Sequence, residues 1–314
     1  MRRNFAQILQ EAKIDPKREY QKLYGMLFER NIPVSNSNRI SAYDELSECF
    51  LNFSFRGTCL SLDEFNDLHN FNFEKDPADF KIDDLISLCE YMENLLLAYQ
   101  CIPLSFPYGY GNTRPQLINV QFYLQQIGQV MEKMGYMHAT QDGVTIFVEK
   151  SPAAVAVAES DLIPADLSYR LISYNHYTMK GQLEAKKTVL VQLAALLEPK
   201  RADLKSADKS LEGDLFCLFN NLNIRHNNID PADPPRYKSV VAKMKPDELE
   251  RWYDETYQMC LLAFLQLEQL ARKDEVQELK KSITTQCRIR CIFDVSHTVI
   301  VVICFSERCR IVHH

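Results

Sequence analysis

The stretch Asp83–Gln100, DDLISLCEYMENLLLAYQ, has the clearest helical pattern in the first part of the chain. Its apolar side chains return every three or four residues, which places them on one side of an α-helix. The wide apolar face consists of Leu85, Ile86, Leu88, Cys89, Tyr91, Met92, Leu95, Leu96 and Leu97. Because a helix with so wide a face must be covered by other elements, this stretch predicts a helical core.

The same spacing predicts further helices on both sides of this stretch. Their ranges are 8–30, 41–55, 62–70, 117–134, 183–197, 211–224 and 246–270. Gly135–Glu149 instead predicts a β-hairpin, because two β-prone segments flank the turn signal Asp142-Gly143. Ser151–Glu159 is compatible with a strand or a helix. The expected fold class is therefore mainly α with a small hairpin.

The chain has 314 residues, a length that suggests about two domains. Two Gly and two Pro make Ser105–Pro115 the best interior boundary. We expect a helical N-terminal domain at 1–105 and a linker with a helix and hairpin at 106–160. A second helical domain is expected at 161–281. A β-prone, Cys-rich tail is expected at 282–314, where Thr298–Phe305 is rich in β-branched residues.

Composition excludes several classes of protein. Gly is scarce at nine residues, which argues against an open Rossmann sheet, and no Gly-rich phosphate-binding motif is present. The ten Cys indicate reduced thiols of a cytoplasmic protein rather than a disulfide framework. The N-terminus lacks an apolar signal core. The longest apolar run, near Val299–Phe305, is too short to span a bilayer, so no membrane partner is expected.

Charge is unevenly distributed along the chain. Residues 1–100 carry 11 Lys and Arg against 17 Asp and Glu, whereas the remainder carries 25 of each kind. An acidic N-terminal part is a poor nucleic-acid platform. Any contact with nucleic acid is therefore expected in the second half of the chain.

The polar run Asn220–Asn228, NNLNIRHNN, is the strongest candidate for a functional site, with five Asn in nine residues. Arg225 offers a fork of donors that suits a phosphate, and His226 can transfer a proton near neutral pH. The alternative is a helix C-cap, because Asn tolerates the left-handed conformation and a basic side chain offsets the helix dipole. The spacing alone leaves both interpretations open.

The stretch Leu211–Leu270 resembles the C-terminal part of HEPN-type helical domains of bacterial abortive-infection and toxin–antitoxin proteins. The resemblance rests on Leu218–Asn228, the following Pro-rich loop and the helical Trp252–Leu267, and it extends loosely over 118–280. It implies an HEPN-like bundle at about 160–280 in an antiviral defence protein. It also implies RNA as the target, a homodimer, and cleavage without a metal or another cofactor.

Carried over to this sequence, the resemblance implies that Arg225 binds the scissile phosphate and that His226 transfers the proton. Substrate-binding hydrogen bonds would come from Asn221, Asn223, Asn227 and Asn228. The family's nucleases also have a His four to six positions after the Arg, but 229–232 here read Ile-Asp-Pro-Ala. This departure leaves two hypotheses, a metal-independent endoribonuclease and a non-catalytic HEPN-like binding or dimerisation module.

Three other groups of charged or Cys residues are more simply explained by structure than by function. A basic group could face RNA but is more simply a solvated helix surface; it comprises Lys186, Lys187, Lys200, Arg201, Lys205 and Lys209. The tail has Cys287, Cys291, Cys304 and Cys309, whose spacing lacks the Cys-x2-Cys pattern of zinc sites. The acidic group Asp83, Asp84, Glu90 and Glu93 is interpreted as an exposed helix face without an accompanying His. His138 and His176 are assigned no role.

Overall fold

The computed structural model describes residues 14–102, 105–108, 112–290, 304–305 and 308–309. Its chain forms two compact units, which span Met1–Val189 and Leu190–His314 and are called the first and second unit below. The architecture is mainly helical with small antiparallel strand pairs, which confirms the predicted fold class. The division falls within the helical domain that the sequence predicts at 161–281, and the predicted boundaries at 105 and 160 lie inside the first unit.

Helices make up most of the first unit. In chain order they are α1 (Pro16–Phe28), α2 (Ala42–Cys49), α3 (Leu62–His69), α4 (Ile82–Gln100), α5 (Val120–Lys133), α6 (Pro152–Ala158) and α7 (Ala165–Ser173). The strand pairs are β1 (Ile32–Pro33) with β2 (Arg39–Ile40), β3 (Ser105–Tyr108) with β4 (Asn112–Pro115), and β5 (Tyr136–Gln141) with β6 (Val144–Glu149). Short 3-10 turns lie at Phe50–Asn52, Ser54–Arg56 and Tyr177–Met179.

Helix α4 is the centre of the first unit's core. It contacts α1, α2, α5 and β6. All its predicted apolar residues except Leu97 are buried, and each fully buried large apolar side chain contributes about 1.5–3 kcal/mol. Near its end the Tyr99 hydroxyl donates to Glu45 Oε1 at 2.7 Å and accepts from the Leu117 N–H at 2.9 Å. A single buried hydroxyl therefore links α4 to α2 and to the segment before α5.

The β5–β6 hairpin confirms the prediction at Gly135–Glu149. Asp142 and Gly143 form its turn with φ values of +53° and +78°, the left-handed pair that a two-residue hairpin turn requires. Asn94 attaches the hairpin to α4, because its Oδ1 accepts from the Thr145 N–H at 2.8 Å and its Nδ2 donates to the Thr145 carbonyl at 2.7 Å. The turn sequence thus fixes the register of β5 against β6, and Asn94 of α4 fixes the position of the hairpin.

In the first unit one predicted loop contains strands, and one segment that was compatible with a strand or a helix is helical. Ser105–Pro115, predicted as a boundary loop, contains the β3–β4 pair. Pro is tolerated there because a two-stranded ribbon has free edges. Ser151–Glu159 contains a helix, α6, because the Ser151 hydroxyl accepts from the Ala154 N–H and Pro152 occupies the first helical position.

Helix α8 (Leu183–Leu197) has the predicted bounds and crosses the division between the units. Among the described residues, four further helices lie in the second unit. They are α9 (Arg201–Ala207), α10 (Lys209–Asn221), α11 (Ser239–Ala242) and α12 (Pro246–Arg290). A 3-10 turn, Glu198–Lys200, joins α8 to α9. The pair β7 (Cys304–Phe305) and β8 (Arg308–Cys309) follows.

Helix α12 is longer than predicted, with 45 residues instead of an end near Leu270. The expectation that the β-prone tail begins at 282 is wrong for 282–290, which are helical. Charged helix formers beyond Leu270 sustain the helix through contacts such as Arg272–Glu268 at 2.8 Å. Only 304–305 and 308–309 of the later tail are described, so the interpretation of its Cys and His side chains lies outside the described residues.

The cysteine side chains that the structure describes are all reduced thiols. Cys49, Cys59, Cys89 and Cys260 are buried, whereas Cys101 and Cys217 are exposed. Burial raises the pKa of the Cys89 and Cys260 thiols well above the ordinary value. None of the helices among the described residues contains a stretch long and apolar enough to cross a bilayer.

Candidate functional site

The polar run Asn220–Asn228 forms the end of α10 and the loop that follows. Leu222 is the C-cap residue, and its N–H donates to the Leu218 carbonyl. Asn223 adopts the left-handed conformation with φ +57°, and the Arg225 N–H returns to the Phe219 carbonyl at 3.0 Å. This geometry agrees with the C-cap interpretation, because a left-handed residue just after the helix lets later N–H groups reach the last carbonyls.

The buried side chain of Asn228 stabilises this loop through hydrogen bonds to its backbone. Its side chain is buried, with Oδ1 accepting from the Asn223 N–H and Nδ2 donating to the Arg236 carbonyl, both at 2.8 Å. Its own carbonyl accepts from the Lys238 N–H at 2.8 Å. Asn223 is also buried, and Asn221 Nδ2 donates to the Cys217 carbonyl of its own helix. Of the four predicted substrate-binding amides, those of Asn223 and Asn228 are therefore buried, and that of Asn221 bonds to its own helix.

Replacing Asn228 with Ala is expected to destabilise the second unit by about 1–3 kcal/mol, because the Asn223 N–H and the Arg236 carbonyl would lose their partners. Urea unfolding followed by Trp252 fluorescence measures this, since Trp252 is the single Trp of the chain and lies in α12. Asn227→Ala, an exposed neighbour, is the control and is expected to change stability little. Equal stability of the two variants would contradict the stabilising role of the Asn228 hydrogen bonds.

Arg225 and Asn227 are the exposed members of the run, and Asn220, Asn221 and His226 are half-buried. Arg225 Nη1 donates to Glu198 Oε2 at 2.5 Å and to Asn220 Oδ1 at 3.5 Å. The other guanidinium nitrogens make no hydrogen bond with a described residue. The imidazole of His226 is half-buried and likewise bonds to no described residue, and Asn227 is exposed. Arg225 is thus accessible, but a surface ion pair already holds it.

Two members of the predicted basic group are engaged within their own units. In the second unit Arg201 Nε pairs with the buried Glu212 and its guanidinium lies over the Phe216 ring, 4.4 Å from the centroid. In the first unit Lys186 is buried with its ammonium 5.3 Å from the Tyr174 ring centroid. A positive charge held in this way is less available to RNA phosphates than a solvated one.

The acidic group on α4 does not form an exposed face, and the expectation that no His accompanies it is wrong. Glu90 Oε1 accepts from His176 Nε2 at 2.8 Å and from the Phe147 N–H at 2.6 Å. The side chains of His176 and Glu90 are only 9% and 14% exposed. Since a carboxylate accepts and does not donate, Nε2 of His176 carries the hydrogen. Nδ1 of His176 lies 2.6 Å from Thr178 Oγ1 and accepts from the Thr178 N–H at 3.4 Å.

A second carboxylate–imidazole pair lies one turn further along α4. Glu93 is buried, and its Oε1 is 3.3 Å from Nε2 of the half-exposed His138. Its other oxygen, Oε2, is buried without a hydrogen-bond partner among the described residues. Burial raises the pKa of the Glu93 carboxyl above the ordinary value of 4.5, His138 opposes the rise, and the charge of Glu90 adds to it.

Glu93 is expected to make the first unit less stable as the pH rises. Its folded pKa is raised, so the folded state binds more protons than the unfolded state from pH 4.5 up to the folded pKa. Stability falls with pH across that window, and the loss persists above it. Glu93→Gln removes this titration. Urea unfolding of both proteins between about pH 4 and pH 8 should show a smaller decline for the variant, and parallel curves would refute the assignment.

A cavity of about 960 Å³ lies within the first unit beside the Glu90–His176 pair. One wall is aromatic and consists of Phe55, Phe65, Phe71, Tyr91 and Tyr177. The polar lining residues include Ser87, Glu90, Asn94, Thr145, His176 and Thr178. The cavity therefore combines a mainly apolar lining with a few fixed polar groups, as small-molecule sites do.

The sequence contained one usable signal for this site. Glu90 and Glu93 interrupt the apolar face of Asp83–Gln100, flanked by Cys89, Tyr91 and Met92. A carboxylate inside a buried face needs a partner. The partners themselves could not be found from spacing, because His176 is 86 residues from Glu90 and reaches it only through the fold.

Comparison of the chain with protein-family models, with curated proteins and with solved structures finds no significant match to any of them. The functional interpretation therefore rests on the geometry of the cavity and of the Asn220–Asn228 loop.

Proposed function

We propose that the first unit binds a small organic molecule in the cavity beside Glu90 and His176. The observation that carries the proposal is a space of about 960 Å³ whose wall holds a nearly buried carboxylate–imidazole pair. This volume is near the upper end of the range of about 300–1,000 Å³ for ligand pockets. Convergent polar groups in a mainly apolar pocket are the usual mark of a binding site.

The polar groups of the cavity are held rigidly, which supports binding rather than simple packing. Glu90 is fixed by His176 and by the hairpin N–H of Phe147. Asn94 is fixed by both backbone groups of Thr145. Side chains positioned by such bonds lose little freedom when a ligand arrives, so binding costs less conformational entropy.

Filling the cavity tests the proposal. Ala98 lines it from α4, and Ala98→Phe places a ring in the space. The neutral, polarity-sensitive dye Nile red should bind the wild type, and Ala98→Phe should weaken binding about tenfold or more. Ala271→Phe, the same change at an exposed position of α12, is the matched control. Equal dye binding by wild type and Ala98→Phe, or none by the wild type, would reject the cavity as a site.

An RNA-directed function of the second unit, in the manner of HEPN-like antiviral defence proteins, is the second candidate. One observation favours it: Arg225 is accessible, and its Nη2 and Nε make no hydrogen bond with a described residue. The non-catalytic alternative also has support. Asn223 and Asn228 serve the loop, and 229–232 form a turn in which Asp230 Oδ1 accepts from the Ala232 N–H.

Arg225→Ala distinguishes the two RNA hypotheses, with Arg236→Ala as the control, because Arg236 is another exposed, ion-paired Arg of the same loop. Cleavage of single-stranded RNA that Arg225→Ala abolishes and Arg236→Ala keeps would establish the endoribonuclease. RNA binding without cleavage would favour the binding module. Neither binding nor cleavage by the wild type would remove RNA as a target. Sedimentation equilibrium of the same proteins tests the homodimer that the resemblance implies.

A further inference from the structure

Apart from His176, which is hydrogen-bonded to Glu90, the charged side chains that line the cavity have one sign. Glu90 and Asp142 line it, and none of the lining residues that the structure describes is Lys or Arg. The potential there also acts on neighbouring phenols. Burial raises the pKa of Tyr177, and the carboxylates Glu90, Asp83 and Asp84 add to the rise. An anionic ligand would therefore be repelled, and a cation would be attracted.

The second oxygen of Glu90 is the natural contact for such a cation. Oε1 already accepts from His176 and from the Phe147 N–H. Oε2 makes no hydrogen bond with a described residue. A carboxylate fixed through one oxygen and open at the other can accept an N–H from a bound ligand in a defined direction.

The aromatic wall gives the rest of the ligand a matching surface. Phe55 and Phe65 lie 5.6 Å apart between ring centroids, Phe65 and Phe71 stack at 6.1 Å, and Phe71 lies 5.1 Å from Tyr91. The faces of such rings carry partial negative charge, so they attract both aromatic edges and cations. The wall thus suits a flat apolar body attached to a positive group.

We propose that the cavity selects a protonated amine with an aromatic body, whose ammonium donates to Glu90 Oε2 while its ring packs against Phe65, Phe71 and Tyr91. This inference rests on the proposed small-molecule function and specifies the class of ligand. The polar group and the aromatic rings line the same cavity, so a single molecule can contact both.

Three probes with the same naphthyl body test the class: naphthylethylamine, naphthylethanol and naphthylpropanoate. Isothermal titration calorimetry of the full chain near neutral pH should show the amine binding about tenfold tighter than the alcohol, and the acid weakest. Glu90→Gln keeps the acceptor for the Phe147 N–H and should reduce the amine-to-alcohol ratio to about one. If Glu90→Gln fails to fold, Asp142→Asn, which suits the left-handed turn, should lower that ratio as well.

The outcomes separate the ligand class from the site. Alcohol or acid binding as tightly as the amine, with loss in Ala98→Phe, would overturn the amine proposal and retain the cavity. An unchanged ratio in a folded Glu90→Gln protein would likewise overturn it. No binding of any of these probes or of Nile red would overturn both proposals.

Discussion

Glu90→Ala is expected to lower the free energy of unfolding of the first unit by about 3–5 kcal/mol. The change removes the acceptor of the Phe147 N–H and the partner of His176, which is 9% exposed. A buried group that loses its partner keeps its full desolvation cost. The loss should also loosen the β5–β6 hairpin, because Phe147 lies in β6. Urea unfolding followed by far-ultraviolet circular dichroism measures the change.

Glu90→Gln serves as the matched variant for this prediction. Gln retains an oxygen for the Phe147 N–H and lacks only the charge, so it should recover most of the stability. Similar losses for Ala and Gln would indicate that the charge matters more than the hydrogen bonds. No loss for Ala would show that the Glu90–His176 pair contributes nothing to folding.

Tyr99→Phe is expected to cost about 2–3 kcal/mol, although it removes a single oxygen atom. That oxygen donates to Glu45, which is fully buried, and accepts from the Leu117 N–H. Burial raises the pKa of the Tyr99 phenol, and the hydrogen bond to Glu45 adds to the rise, so the hydroxyl remains a donor at any ordinary pH. The variant leaves a buried carboxylate with one donor fewer.

Tyr24→Phe is the control, because the Tyr24 hydroxyl of α1 makes no hydrogen bond with a described residue. Its stability should remain close to that of the wild type. A Tyr99→Phe protein as stable as Tyr24→Phe would mean that water or a shifted side chain replaces the lost hydroxyl. The same urea titration serves both variants.

The sequence predicted the elements whose cause is local. Helix α8 has the predicted bounds because its apolar spacing has no competing signal, and the hairpin turn follows from Asp142-Gly143 alone. The predicted end of α12 near Leu270 is wrong because the apolar stripe stops there, whereas the charged helix-forming residues beyond it propagate the helix to Arg290.

The candidate cavity could not be predicted because its chemistry depends on distant segments. The sequence pattern predicts that Glu90 lies on a solvated helix face, whereas in the structure the hairpin and the His176 segment cover it. The Asn220–Asn228 run shows the converse case. Its composition suggested ligand chemistry, but the Asn228 side chain bonds to the backbone of its own loop at Asn223 and Arg236. Polar residues are assigned to function or to structure only when their partners are known.

The buried cysteines are separate probes of the opening of the two units. Cys49, Cys59 and Cys89 lie in the first unit and Cys260 in the second, each shielded from reagents in the folded state. Alkylation of such a thiol requires opening of the surrounding structure, so its rate reports local unfolding. Peptide mass spectrometry after timed labelling would therefore show whether the units open together or independently, and which one a bound molecule protects.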